Sequence, residues 1–491
     1  MNRILQGTDG LAIPDFSLLE DPRQARGQRY SFLSMLRLCF SGMLGAYRTL
    51  RSVIAFGLRR GFGVSYTPLY LLLGNLKTED FRPLLHRQVR SLYRAKALEP
   101  EGFPCHVIAI DNKTLYYGAK RLNAHCQKTH DSHPRQVRFH LRVLRAVLVS
   151  SPLKVALDQQ VTPPKKNDMS FFGSFLKGLE QLYGRGLLAR AIVSVDAGMT
   201  SLENATQLHD GGYGYVMALK ENQPSLLAEA RRILETVKQN EAEVTTGWQV
   251  YRGEERRYKL YRTNQMQDWT TDSGRWEHLR QVWLVVTEVR RRLGRKKKGR
   301  PPKNKTVSYT SVQVLEERYF LSNVLWNYLN PEQILALVRA HWGIENGCNG
   351  TTDTQWNEDE SPWCRKGEAL EVLSLLRLMA YNLVQWLKGR HLRNQQMKGW
   401  GWQEWFDWLR EMMALFLSLP RRTRVPPSSL NCLYIRSLGF VKNSKLRSLR
   451  LLLSTRFDGQ WRSFFSNSPS FQLIRSFVIV AYFKSSLTAV G

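Results

Sequence analysis

Three acids in this 491-residue chain stand where a sheet protein can do chemistry: Asp111, Asp196 and Glu345. Asp111 directly follows the apolar run 106–110 (HVIAI), and Asp196 directly follows 191–195 (AIVSV). Short apolar runs of this kind predict buried strands. Both carboxylates are therefore expected at the carboxyl end of a strand, where open α/β sheets place ligands and catalytic groups. Glu345 ends a predicted helical stripe of Ile334, Val338 and His341, which turns from apolar to polar and so faces something other than core. Three converging carboxylates repel one another unless a divalent cation lies between them, and hard oxygen ligands suit Mg²⁺ or Mn²⁺. A pair of such ions performs in-line displacement at phosphorus. From spacing alone, Asp111 and Asp196 also read as turn residues or helix caps, and Glu345 as an ordinary helix acid.

The elements that must position these acids follow from the hydrophobic pattern. Residues 13–98 read as helical: 30–60 alternates apolar and basic residues at helical spacing, Gly61 to Gly63 breaks the run, and Thr78 is expected to cap a helix over 81–98. Basic helices of this kind suit DNA contact or a plain solvated surface. After Pro104 strand and helix alternate, which predicts an α/β fold. Residues 244–320 are strand-rich and look like an insertion, because helical sequence resumes after them. Asn330, Pro331 and Gln333 then make a strong helix start. The expected organisation is a helical part over 1–100, an α/β part over 101–220, a β-rich insertion over 221–325, a second α/β part over 326–392 and a basic, aromatic region over 393–491.

Lys and Arg number 72 against 41 Asp and Glu, an excess of 31 positive charges. An excess of this size points to a polyanion, nucleic acid before anionic membrane. Of the 31 charges, 21 come from residues 290–305 and 421–491, so the remainder is nearly ordinary. Within 290–305 lie Lys296, Lys297, Lys298, Arg300 and Lys303, candidate DNA contacts together with Lys220. The segment KKGRPPK resembles an AT-hook that lies in the minor groove; a solvated basic loop that touches phosphate only is the simpler reading. Residues 30–47 are broken by Arg37 and two glycines, and 477–483 is short, so neither is expected to span a membrane. No secretory leader pattern opens the chain, and the six cysteines are scattered without a C-x-x-C pair, which fits a reduced cytoplasmic protein. His125, Cys126, His130 and His133 cluster, but adjacent His and Cys suit a closed zinc site poorly. Trp402, Trp405, Leu409, Met412, Met413 and Phe416 share a helical spacing that reads as core or partner contact.

Long, ordered segments carry a resemblance: DPRQARGQRYSFLSML near the amino end, IAIDNKTL around Asp111, VSVDAGMTSLENATQLHDGGYGYVMALKENQPSL around Asp196, and RYFLSNVL then VRAHWGIENG around Glu345. The chain resembles the DDE transposases of bacterial insertion sequences, specifically the ISAs1-like group within the IS4-type class. The resemblance implies an RNase H-like core interrupted by the β-rich insertion, in which Asp111, Asp196 and Glu345 are catalytic and bind two Mg²⁺ ions, with Mn²⁺ as a substitute. It implies cleavage at an insertion-sequence end, attack of the freed 3′-hydroxyl on target DNA, double-stranded DNA as partner, a homodimer on that DNA, and a nucleoid-associated location. A stacking tryptophan in the insertion is also implied, with Trp248, Trp276 and Trp283 as candidates.

The segments depart from the family pattern in places. Asn112 stands where Gly is usual, His341 and Thr352 occupy positions four before and seven after Glu345, and Gly347 and Gly350 predict a helix shortened just past the acid. These departures leave two alternatives, a transposase-derived DNA-binding protein without activity and another RNase H-like nuclease.

Overall fold

The run at residues 30–60, helical by its spacing, folds as two helices. In the computed structural model, which describes residues 13–418 apart from 25–27, 131–136, 185, 273, 294–307, 361, 391–396 and 398, α1 (Phe32–Leu44) stops at Gly45 and α2 (Leu50–Leu58) starts again. A capping box sets the second start: the side chains of Thr49 and Ser52 each accept the other's backbone N–H. After α3 (Tyr66–Asn75) comes α4 (Thr78–Arg94), whose first residue is Thr78 itself and whose N-cap Lys77 offers no side-chain bond. The expected Thr78 cap is thus replaced. The Glu368 carboxylate accepts the Thr78 N–H at 3.0 Å and pairs with Lys77 Nζ at 3.1 Å, placing an anion at the positive end of the helix.

The strands are β1 (Val107–Gly118), β2 (Gln127–His130), β3 (Val137–Leu148), β4 (Ala156–Val161), β5 (Ile192–Val195), β6 (Gly214–Leu219), β7 (Val244–Thr245), β8 (Gln249–Tyr251), β9 (Glu254–Thr263), β10 (Thr270–Thr271), β11 (Gly274–Arg275), β12 (Gln281–Arg290), β13 (Arg292–Leu293), β14 (Ser308–Tyr309) and β15 (Gln313–Ser322). Eleven of them form one mixed sheet in the order β2-β3-β1-β5-β6-β15-β12-β9-β7, with β4 on β3 and β8 on β9. β1, β5 and β6 are parallel; β3 and β15 flank them antiparallel. The α/β expectation holds, and the β-rich stretch extends the same sheet, because β15 bonds to β6 from Tyr319↔Leu219 to Ser322↔Val216.

Helices α5 (Asp168–Tyr183), α6 (Leu202–Asp210) and α7 (Pro224–Lys238) connect the strands. α8 (Pro331–Trp342) begins on the expected capping box, with Asn330 accepting from the Gln333 N–H, Gln333 returning the bond, and Pro331 in the first turn. The helix does not shorten at the glycines. It passes into a π-helix (Gly343–Asn349) and then α9 (Gly350–Trp356). Glycine lowers helix propensity by only about 1 kcal/mol, and the buried side chains of Ile344, Cys348, Thr351, Thr352 and Trp356 hold the path.

α10 (Ala369–Arg390) is a core helix, with Val372, Leu373, Leu376, Met379, Ala380 and Val384 fully buried. It and α4 belong to one compact unit, residues 12–28 and 70–389, where Arg82 and His86 of α4 both bond to Asp158 of β4. The second unit contains residues 29–69 and the stretch from 390, including α11 (Trp402–Ser418); Trp405 and Leu409 are buried there, as their spacing suggested. No helix among the described residues is long and apolar enough to cross a membrane. The five described cysteines are free and buried.

Candidate active site

β1 does not end before Asp111. Its parallel pairing with β5 stops at Ile110↔Val195, while its antiparallel pairing with β3 continues through Asp111↔Arg145 to Gly118. Asp111 is therefore mid-strand, at the point where β1 loses one neighbour, and the correction to the strand-end expectation lies in that one-sided continuation. Asp196 follows the last paired residue of β5 and heads the short turn Ala197–Met199. Because Ile110 and Val195 are register partners, the two acids leave the parallel ladder side by side.

Glu345 lies on the π-helix, which packs against β1. The Asp111 carboxyl is pushed up to about 7, first by burial and then by the negative charges of Asp196 and Glu345. Asp111 thus feels the charge of both other sequence-predicted acids. Asp111 is 8% exposed, whereas Glu345 is exposed. Burial also raises Asp196, against the N–H groups of Gly198 and Met199 and the charge of Lys220. Among the described residues no three His, Cys, Asp or Glu side chains stand close enough together to hold a metal ion as they are. The acids nevertheless fit a divalent cation: Asp196 Oδ1 is buried without a hydrogen bond, and Asp111 is penalised for its charge by both partners. Those are the costs a cation removes.

Residues that the sequence reading did not single out support the acids. Arg145 lies directly across from Asp111 on β3 and is fully buried. Its guanidinium donates to Gln159 Oε1 (2.8 Å), Asn349 Oδ1 (2.8 Å), Thr352 Oγ1 (3.3 Å), Glu358 Oε2 (3.0 Å) and Ser374 Oγ (3.0 Å). Burial alone would raise Glu358, but Arg145 and Arg377 overcome it and hold that carboxyl at about 2. Lys113, two residues along β1 from Asp111, pairs with Asp353 of α9. The signal for this set was the i, i+2 step from Asp111 to Lys113; nothing in the sequence ties Arg145 to the segment 349–358. His341 bonds through Nδ1 to Ser194 Oγ at 3.0 Å and is lowered to about 4 by burial and the charge of Arg318, so it is neutral at physiological pH.

Lys220 is exposed at the end of β6, close enough to Asp196 to oppose its upward shift. Lys296, Lys297, Lys298, Arg300 and Lys303 lie outside the described residues, as does His133 of the cysteine and histidine cluster. His125 of that cluster is held by Glu371 at 3.3 Å, and the Cys126 thiol bonds to Asn123. Of the three candidate stacking tryptophans, Trp276 and Trp283 are core residues. Trp248 is half-buried, with the guanidinium carbons of Arg257 and Arg290 at 4.7 and 4.2 Å from its ring centroid.

Residues 106–383 match a family model described as the transposase DDE domain. No curated protein matches the chain. Among solved structures, the cryo-EM structure of a piggyBac transposase synaptic complex with hairpin DNA is 10% identical, with 96% of this chain and 85% of that chain covered at a TM-score of 0.38. A score at that level is too low to carry a shared fold.

Proposed function

The chain belongs to the transposase DDE-domain family, matched over residues 106–383, and from that premise we propose an insertion-sequence transposase of the ISAs1-like, IS4-type group that cleaves and joins end DNA. The observation that carries the reading is that Asp111 feels the charge of Asp196 and Glu345, the three coming from two adjacent strands and a helix more than a hundred residues further on. The strand order β3-β1-β5-β6, with β1 antiparallel to β3 and parallel to β5, supports an RNase H-like core. Unbroken helix through Gly347 and Gly350 favours the active reading over an inactive remnant.

Asp111, Asp196 and Glu345 would hold Mg²⁺, two ions per site, with Mn²⁺ as a substitute. When bound, the ions favour the attacking oxygen and the leaving oxygen of an in-line displacement. In the first reaction water forms the new P–O bond, the bond to the 3′-oxygen breaks, and that oxygen leaves with a proton as a hydroxyl. In the second the oxygen of that 3′-hydroxyl forms the new bond to a phosphorus of target DNA, the bond from that phosphorus to the target strand's 3′-oxygen breaks, and the target 3′-oxygen leaves with a proton as a hydroxyl. The chain's own residues provide fixed geometry: the Asn112 N–H holds Asp111 Oδ1 at 2.8 Å, and Lys220 stands beside Asp196 as a cation for the phosphate. Trp248, Arg257 and Arg290 are candidates for contact with the DNA end. Joining two ends needs two such sites, hence a homodimer on DNA, and double-stranded DNA as partner puts the protein with the nucleoid.

The test is purified protein with an end-containing duplex and Mg²⁺. Asp111→Ala, Asp196→Ala and Glu345→Ala should each reduce strand cleavage by about a thousandfold or more while duplex binding persists. Cleavage by Asp111→Ala at the wild-type rate would remove the assignment.

A further inference from the structure

Asn349 sits between two groups that face each other across the sheet. Arg145 and Asp111 are register partners on β3 and β1, yet the guanidinium makes no bond to the carboxylate. Asn349 stands between them, accepting from Arg145 at Oδ1 (2.8 Å) and donating from Nδ2 to Asp111 Oδ2 (3.2 Å). The amide has one possible orientation, because arginine has donors only and must meet the oxygen, which leaves the NH₂ for Asp111. Arg145 is itself immobilised, its five N–H donors matched by five acceptors and its charge taken up by buried Glu358. The π-helix supplies the placement: the Gly350 N–H bonds to the Glu345 carbonyl five residues back, and this one wide turn carries both Glu345 and Asn349.

Resting on the reading of Asp111 as a metal ligand, we propose that Asn349 is a positioning residue that fixes the Asp111 carboxylate for the cation, with Arg145 locking the amide. Side chains that orient a ligand in this way are worth about 10–100-fold in metal affinity. The arrangement also leaves Asp111 without a direct ion pair to Arg145, which would compete with the metal.

Mn²⁺ binding to the full chain without DNA, followed by the loss of the free-ion EPR signal, tests this. Wild type should bind and Asp111→Asn should not; if wild type does not bind, the metal-ligand reading falls and takes the proposal with it. Given wild-type binding, Asn349→Ala should bind 10–100-fold more weakly and need correspondingly more Mg²⁺ for half-maximal cleavage, with unchanged KM for DNA. Asn349→Gln, which keeps a donor at the end of a longer arm, should recover part of the affinity. Asn349→Ser covers the case in which the alanine variant fails to fold, and should show the same loss. Wild-type Mn²⁺ affinity in a folded Ala or Ser variant overturns the proposal, as does an equal loss in the Gln variant.

Discussion

At the scale of single residues, the Asp111 carboxyl makes the metal-free protein sensitive to pH. Its folded value of about 7 lies above the 3.8 of an unperturbed aspartate, so between those limits the folded state holds a proton that the unfolded state has lost. The stability it contributes is full below pH 3.8 and is lost as the pH rises through 7. Asp111→Asn is neutral throughout. In EDTA, the variant should melt close to wild type near pH 4.5 and several degrees higher at pH 8, a gain of a few kcal/mol at about 1.4 kcal/mol per pH unit. Saturating Mg²⁺ should stabilise wild type and leave the variant unmoved. Equal melting temperatures at pH 8 in EDTA would mean that Asp111 carries no such penalty. The three acids were legible because each closes an apolar pattern. Arg145, Asn349 and Glu358 were not, because a buried polar network is defined by partners up to 238 residues apart and leaves no periodicity in the chain.

At the scale of elements, the two glycines after Glu345 have different duties. A Cβ at Gly347 would meet its nearest neighbour, the Tyr381 hydroxyl, at 3.9 Å, an ordinary contact. A Cβ at Gly350 would stand 3.0 Å from the Glu345 backbone oxygen, the acceptor of the π-turn bond. Gly347→Ala should therefore be neutral or stabilising by up to about 1 kcal/mol in thermal unfolding, through helix propensity. Gly350→Ala should cost about 1–3 kcal/mol and weaken Mn²⁺ binding by opening the wide turn. The reverse ranking would show that the turn does not depend on glycine at 350. Sequence reading took both glycines as helix breakers, since propensity counts residues and cannot see the buried contacts that carry the helix past them. It placed the start of α8 correctly because the Asn330 and Gln333 box is local. It misplaced the start of α4 because the capping anion, Glu368, is remote in sequence.

At the scale of the whole molecule, most of the positive excess falls outside the described residues. The arm of the sheet beyond β6 neutralises its own cations: Glu288 takes Arg257 and Lys259, Glu255 takes Arg290, Glu254 takes Arg291, and Glu243 takes Arg262. Paired charges of this kind add little to phosphate binding, whereas two-thirds of the net charge was already traceable in the sequence to residues 290–305 and 421–491. That the arm continues the central sheet was not legible, because strand pattern reveals a strand but not its partner. Under the proposed function, the expectation is a division of labour in DNA binding. Each phosphate that a Lys neutralises contributes about 0.9 to the slope of log affinity against log salt. Neutralising Lys296, Lys297 and Lys298 to Ala should lower that slope by up to about 2.7 and weaken binding about equally for end and unrelated duplexes. Arg290→Ala, which also breaks an internal ion pair, should change the slope by less than one such step. Fluorescence anisotropy across a salt series separates the two. An unchanged slope in the triple Lys variant would take that segment out of the DNA interface and move the grip to the aromatic and arginine face around Trp248.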